Sequence, residues 1–148
     1  MAQDIARNKT AAYRYNLLEK WEAGIALQGS EVKSLRNGGL QLKDSYATVR
    51  DGEVWLHNVH IAPYEHANRD NHDPERPRKL LMKRGEIERL IGKTSEKGLT
   101  LVPTRMYWKG PRAKVEIALA RAKNVQDKRR YLKEKDARRE IDRALHER

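Results

Sequence analysis

Ser45-Tyr46-Ala47-Thr48-Val49-Arg50-Asp51-Gly52-Glu53-Val54-Trp55-Leu56-His57-Asn58-Val59-His60-Ile61 reads as two β-strands joined by a tight turn. Asp51-Gly52 is a strong two-residue hairpin signal, because a type I′ turn needs left-handed backbone at both central positions. Ser45 to Arg50 is the first strand and Glu53 to Ile61 the second. Unbroken alternation would put Val54, Leu56, Asn58 and His60 on one face. Trp55, His57, Val59 and Ile61 would take the other. Apolar groups on both faces suit a barrel strand with partial cover. Pro63 stops the strand, since it cannot donate to a ladder.

Outward from this hairpin the pattern repeats. Leu99, Leu101, Val102, Met106 and Tyr107 lead to a turn at Lys109-Gly110-Pro111-Arg112, and Val115, Ile117 and Leu119 return. That is a second hairpin. Between the two lies a polar stretch over residues 66–78, then an amphipathic helix over Gly85–Gly92 with Ile87, Leu90 and Ile91. On the N-terminal side, Tyr15 to Leu27 has the period of a long strand, bent near Glu22-Ala23-Gly24. Ser30 is placed to cap a short helix that Asn37-Gly38 ends. Residues 1–12 are polar and read as a loosely held arm. The fold class expected is mainly β with helices: five or six antiparallel strands in a small barrel of the oligonucleotide-binding type.

The chain has 148 residues, 32 Lys and Arg against 21 Asp and Glu, and a net charge of +11. Such an excess speaks of anionic partners: nucleic acid first, an anionic membrane surface second. No apolar run approaches the ~20 residues of a membrane span. The first ten residues lack the apolar core of a secretory signal, so a cytoplasmic protein is expected. There are no cysteines, which removes disulfides, thiolate chemistry and cysteine-type zinc sites. After Ala120 the composition shifts. Residues 121–148 hold eleven Lys and Arg and six Asp and Glu, with Val125, Leu132, Ile141 and Leu145 as a thin apolar stripe. The division expected is a barrel over residues 1–122 and a basic tail over 123–148, disordered or partly helical until it meets a partner.

Arg76, Arg78, Lys79, Lys83 and Arg84 form the densest basic cluster of the barrel. Clustered cations bind phosphates because each contact releases condensed counterions. The bland alternative is a solvated charge run. Lys33 and Arg36, one helical turn apart, are a second candidate. Among the aromatics, Tyr13 and Tyr64 fall outside strong periodicity and are the better platforms for unpaired bases. Tyr15, Trp21 and Trp108 sit in strands, where an aromatic is more often core. Glu22 has two readings, an RNA-reading carboxylate that accepts base N–H groups or an ordinary surface acid paired with a lysine. His57, His60, His66 and His72 lie within sixteen residues. A period of two turns His57 and His60 to opposite faces, so no metal and no cofactor is expected. No nucleophile elbow or Gly-rich phosphate loop is present. Two rivals stay open: an RNA-processing enzyme using His57, His60 and Asp70 or Asp73 as acid–base groups, and a general single-strand binder.

Several runs resemble one known family, the SsrA-binding protein family, SmpB. They are Ile5-Ala6-Arg7-Asn8-Lys9, Glu22-Ala23-Gly24-Ile25, Gly29-Ser30-Glu31-Val32-Lys33-Ser34-Leu35-Arg36, Asp44-Ser45-Tyr46, Asp51-Gly52-Glu53, Ile61-Ala62-Pro63-Tyr64, Asp73-Pro74 with Arg76, Arg78-Lys79-Leu80-Leu81, and Asp127-Lys128-Arg129. They stand in the family's order and cover nearly the whole chain. The resemblance implies a non-enzymatic protein that binds the tRNA-like domain of transfer-messenger RNA and delivers it to the A site of stalled ribosomes. The partners it implies are that RNA, the decoding centre and mRNA path, and elongation factor Tu indirectly through the RNA. It implies a monomer with no membrane partner. Family RNA-binding positions fall on Asn8, Tyr15, Glu22 and Leu81, with Lys33, Arg36 and Lys79 as phosphate partners; Tyr13 and Arg78 join them as candidates from the residues. The resemblance assigns the ribosome-binding tail to Lys123, Asp127, Lys128 and Arg129. The chain departs from the family pattern at Ala122, Asn124 and Gln126, and at Tyr13, where a histidine is common.

Overall fold

The computed structural model describes residues 3–64, 71–96 and 98–146. Among them the order is β1 (Gln3–Arg7), α1 (Ala11–Arg14), β2 (Tyr15–Ile25), α2 (Gly29–Arg36), β3 (Leu40–Gln41), β4 (Tyr46–Arg50), β5 (Glu53–His57), β6 (His60–Ile61), β7 (Arg78–Leu81), α3 (Arg84–Thr94), β8 (Leu99–Lys109), β9 (Arg112–Ala122) and α4 (Val125–His146). Seven strands form one antiparallel sheet in the order β1-β8-β4-β5-β7-β2-β9. β9 also pairs with β8 along its length, which closes the sheet into a barrel. The barrel class expected from the hairpins is therefore the one observed. β4 and β1 share one edge of β8: β4 meets it at Leu101, β1 at Arg105 to Trp108.

The Asp51-Gly52 turn has φ of 54° and 75°, the left-handed pair that a type I′ hairpin requires. The second strand of that hairpin is not continuous. Asn58, at φ 62°, breaks it into β5 and β6. The break resets the alternation, so Val59 and Ile61 are buried together with Val54 and Leu56 rather than opposite them. The core they join includes Leu35, Leu80, Leu90, Leu101, Met106, Val115 and Ile117.

Three further expectations are corrected. The N-terminal arm is not loose, since β1 pairs with β8 and Asp4 faces Tyr107. An uncovered stretch of β8 offers unpaired backbone groups, and a half-exposed strand satisfies them without a hydrophobic run. The irregularity of β2 lies between Leu17 and Glu19, not at Glu22–Gly24. The helix α2 starts two residues early: Gln28, not Ser30, is its N-cap, and the Gln28 N–H donates to Glu31 Oε1 at 2.8 Å. Ser30 instead places its hydroxyl 2.8 Å from Nδ1 of the buried His72. At the C-terminal end of the described residues, Val125–His146 form one helix, α4. The Asp127 N–H donates to the Asn124 side chain at 2.8 Å, and Asp127 stands in the first turn, where an acid suits the helix dipole. Lys, Arg, Glu, Leu and Ala at most of its positions favour helix intrinsically.

Candidate nucleic-acid interface

β7 decides which cations can meet a ligand. Its side chains alternate in and out, so Arg78 and Leu80 turn inward while Lys79 and Leu81 face outward. Arg78 is 0% exposed. Its Nε donates to Glu31 Oε2 at 2.5 Å and its Nη1 to the Val59 carbonyl at 2.6 Å. The Pro74 carbonyl accepts from Nη2 at 3.0 Å. Arg76 also pairs with Glu31 and is partly exposed. Arg78 is therefore corrected from phosphate ligand to buried clasp: a guanidinium whose donors are spent on Glu31 and backbone carbonyls cannot reach a phosphate. Burial pushes the Glu31 carboxyl up, but donors from Arg76, the Gln28 backbone and Arg78 outweigh it and leave it below the ordinary value. Burial lowers Arg78, against its bond to Glu31. Guanidinium stays protonated at any working pH, so Glu31 and Arg78 form a buried ion pair with three donors on the carboxylate.

Outside the barrel, Lys79 and Leu81 line an open groove of about 870 Å³ with Glu22, Gly24, Glu53, Lys83, Arg84 and Lys114. Three of the expected RNA-binding residues, Glu22, Lys79 and Leu81, thus come together from β2 and β7. Leu81 is 53% exposed, a large apolar side chain held out in water. Lys79 lies 2.8 Å from Glu53 Oε1. The strands meet closely here: Gly24 is paired with Leu81, and a Cβ on Gly24 would lie 3.3 Å from the Leu81 Cβ.

Glu22 combines the features of both its readings. It is exposed, and Lys109 Nζ donates to its Oε1 at 3.2 Å, while the Tyr107 hydroxyl donates to its Oε2. The Tyr107 hydrogen bond, assisted by Lys109 against a partial desolvation, holds this carboxyl below its ordinary value. Glu22 is therefore ionised and acceptor-only at neutral pH.

A second surface lies around α1. Asn8, Arg14, Tyr15 and Tyr46 line a cleft of about 230 Å³. Asn8 is committed internally, its amide donating to the Pro103 carbonyl at 2.9 Å and its Oδ1 accepting from Thr10 at 3.1 Å. Tyr13, 36% exposed, lies against Tyr131 of α4 with ring centroids 6.4 Å apart. Lys128 sits 5.4 Å from the Tyr13 centroid and Lys123 4.2 Å from that of Tyr131. Lys123 also donates to the Ala12 carbonyl at 2.6 Å. Two of the expected tail cations thus touch the barrel, whereas Arg129 is exposed. Lys33 and Arg36 are both exposed on α2, with Lys33 5.6 Å from the Tyr64 centroid.

The histidines do not converge. His72 is buried between Ser30 and the Ile61 carbonyl, His57 bonds Thr48 at 2.9 Å, and His60 pairs with Glu75 at 3.6 Å. His66 and Asp70 lie outside the described residues. Among the described residues no three His, Asp or Glu are grouped to hold a metal, and no helix is long and apolar enough to cross a membrane. The sequence reading missed Tyr107, Lys109 and Lys114. Tyr107 and Lys109 lie on β8 and Lys114 on β9, the two strands of the hairpin that the turn signal marks; the turn does not show that β2 lies on the far side of β9, which is what brings them to Glu22.

A closed antiparallel barrel with a cation-lined groove and an appended basic helix defines a small protein of the oligonucleotide-binding class. The family described as SmpB protein matches residues 5–147. An SsrA-binding protein of Carboxydothermus hydrogenoformans is 56% identical over 148 residues, 100% of this chain and 99% of its own. One from Geobacillus thermodenitrificans is 56% identical over 144 residues, 97% of this chain and 93% of its own. A solved structure described as "tmRNA-SmpB: a journey to the center of the bacterial ribosome" is 49% identical, covers 81% of this chain and 85% of its own, and superposes with a TM-score of 0.69. The chain belongs to the SmpB family.

Proposed function

We propose that this protein binds the tRNA-like domain of transfer-messenger RNA and delivers it to the A site of stalled ribosomes, where the interrupted peptide is tagged and the ribosome freed. The observation that carries the reading is the match to SsrA-binding proteins along the whole chain. The groove lining supports this reading, in which Lys79, Lys83 and Arg84 meet phosphates, Leu81 packs on a sugar or base, and Glu22 accepts N–H groups of a base edge. Lys33, Arg36, Tyr15 and the cleft at Asn8 extend that surface, and the exposed face of α4 meets ribosomal RNA and the mRNA path. The protein acts as a cytoplasmic monomer, without catalysis of its own, and reaches elongation factor Tu only through the RNA.

The test is the RNA that co-purifies with the protein. One discrete species with tRNA-like ends is the expected result. A heterogeneous mixture, with equal affinity for tRNA and unstructured RNA at one salt concentration, would establish the general single-strand binder instead. Cleavage of labelled RNA by the purified protein in Mg²⁺ would establish the enzyme.

A further inference from the structure

Glu22 has a neighbour that physics disfavours. In the β2–β9 ladder it stands directly opposite Glu116, and Glu116 in turn stands opposite Arg105 of β8. Two carboxylates directly across a ladder repel. The sheet resolves this by giving each acid its own donors. Glu116 takes the Thr104 hydroxyl at 2.5 Å and Arg105 at 3.5 Å. Glu22 takes the Tyr107 hydroxyl on one oxygen and Lys109 on the other. The two donors differ in kind. Lys109 is a flexible, exposed side chain, and its pairing with Glu22 is of the weakly held surface type. Tyr107 is a rigid ring, 3% exposed. The Arg105 guanidinium lies 4.3 Å from its centroid, and Asp4 of β1 holds Arg105 at 2.9 Å. Asp4 is itself the ladder partner of Tyr107.

We propose that Tyr107 is the positioning residue of the RNA site: it aims the Glu22 carboxylate into the groove, and β1, through Asp4 and Arg105, fixes Tyr107. The inference rests on the reading of Glu22 as an RNA contact. One hydrogen bond to Oε2 and one to Oε1 leave each oxygen a lone pair for a base N–H. The remaining freedom of the carboxylate is the rotation that the Tyr107 bond removes. A guanidinium over the ring polarises the phenol and makes its hydroxyl a better donor. Burial, followed by Glu22, pushes the Tyr107 hydroxyl well above its ordinary value, so it stays a donor throughout the working range.

Tyr107→Phe removes the hydroxyl and keeps the ring under Arg105. Binding of the tRNA-like domain transcript to full-length protein should weaken about ten- to thirtyfold, the lower part of the range for a bond to a charged group. Three readouts distinguish positioning from packing. Thermal unfolding of Tyr107→Phe should stay close to that of the parent. The acid limb of RNA binding should move to higher pH, because the donor that lowers Glu22 is gone. Arg105, Lys109, Lys114 and Glu116 on β8 and β9, Lys20 on β2, Asp4 on β1, and Asp51, Glu53, Lys79, Lys83, Arg84 and Glu86 across the groove are all unchanged in that variant. Glu22→Gln has no carboxyl at this position and supplies the baseline for every other titration, the RNA included. Finally, Tyr107→Phe should cost nothing further in a Glu22→Gln background. Parental affinity in Tyr107→Phe, or an additive loss in the double variant, would overturn the positioning role while leaving Glu22 as an RNA contact. Parental affinity in Glu22→Gln would overturn the RNA contact itself, and the positioning role with it.

Discussion

Glu31 is fully buried, with donors from Arg76, Arg78 and the Gln28 backbone on its two oxygens. It caps α2 and anchors the start of β7 at once. Removing one member of such a pair leaves a buried charge without compensation, at a cost of about 3–5 kcal/mol. Glu31→Ala should therefore lower the unfolding free energy by about that amount, measured by denaturant titration at pH 7. Its pH dependence has a defined sign. The folded-state value lies below the ordinary 4.5, so the unfolded chain binds this proton first. The stabilisation is present above the ordinary value and is lost as pH falls through the folded one. Glu31→Gln should flatten that part of the acid limb, and an unaltered limb would show that other carboxylates govern acid unfolding. Glu22 is the contrasting case, since it is exposed and its donors lie on the surface. Glu22→Gln should leave stability nearly unchanged and weaken RNA binding by about 1–3 kcal/mol, the scale of one good polar readout contact. Were Glu22 facing phosphates, loss of its charge would tighten binding, so a tighter Gln variant rules out base-edge reading.

Among the elements, β7 separates two kinds of cation within two residues. Lys79 faces the groove and Arg78 the core. Lys79→Ala should reduce the slope of log affinity against log salt by about 0.7–0.9, one phosphate contact, with little change in stability. Arg78→Ala should do the reverse, destabilising the fold while leaving the slope of the still-folded fraction intact. Salt titration and thermal unfolding of both variants check this, and equal slopes for Lys79→Ala and the parent would mean that Glu53 keeps Lys79 from the RNA. The same element shows where sequence reading reaches its limit. Both hairpins were legible, because Asp51-Gly52 and Gly110-Pro111 carry turn chemistry and their flanking strands alternate. β7 was not, because four residues are too few for a period and Arg78 looks like surface charge. Its burial depends on Glu31, 47 residues away, which only the tertiary fold brings to it. The break at Asn58 left only a faint signal, since Asn tolerates left-handed backbone better than other side chains but also occurs in regular strands. The groove was half legible: the family motifs marked Glu22, Lys79 and Leu81, but the β2–β9 pairing that adds Tyr107 and Lys109 is not local.

At the scale of the whole molecule, charge is shared almost equally between two parts of unequal stability. Residues 1–120 carry +6, from 21 basic and 15 acidic residues, and residues 121–148 carry +5, from 11 basic and six acidic. The first part has a closed barrel and a core. The second is α4, whose 22 residues span about 33 Å and whose described side chains are mostly exposed. What holds α4 is near its root: Tyr131 against Tyr13, Lys128 over Tyr13, and Lys123 on the Ala12 carbonyl and the Tyr131 ring. Beyond these, Leu132, Ile141 and Leu145 remain exposed, a stripe too thin to bind the barrel and free to meet another surface. A chain ending at Lys123 keeps every barrel strand and the Lys123 bond to Ala12. It should stay folded and keep most of its affinity for transfer-messenger RNA, because the groove residues all lie before the cut. On the ribosome the loss should be nearly complete. There the substrate is an A site without a codon, and in the proposed function the net +3 of residues 124–148, nine basic against six acidic, reaches along the mRNA path and gains phosphate contacts. The measurement is peptidyl transfer to alanyl-transfer-messenger RNA on ribosomes carrying truncated mRNA, with full-length and shortened protein in parallel. Parental transfer by the shortened protein would show that the barrel alone performs delivery. Loss of RNA binding together with loss of transfer would instead place α4 in the RNA site, through Tyr13 and Lys128.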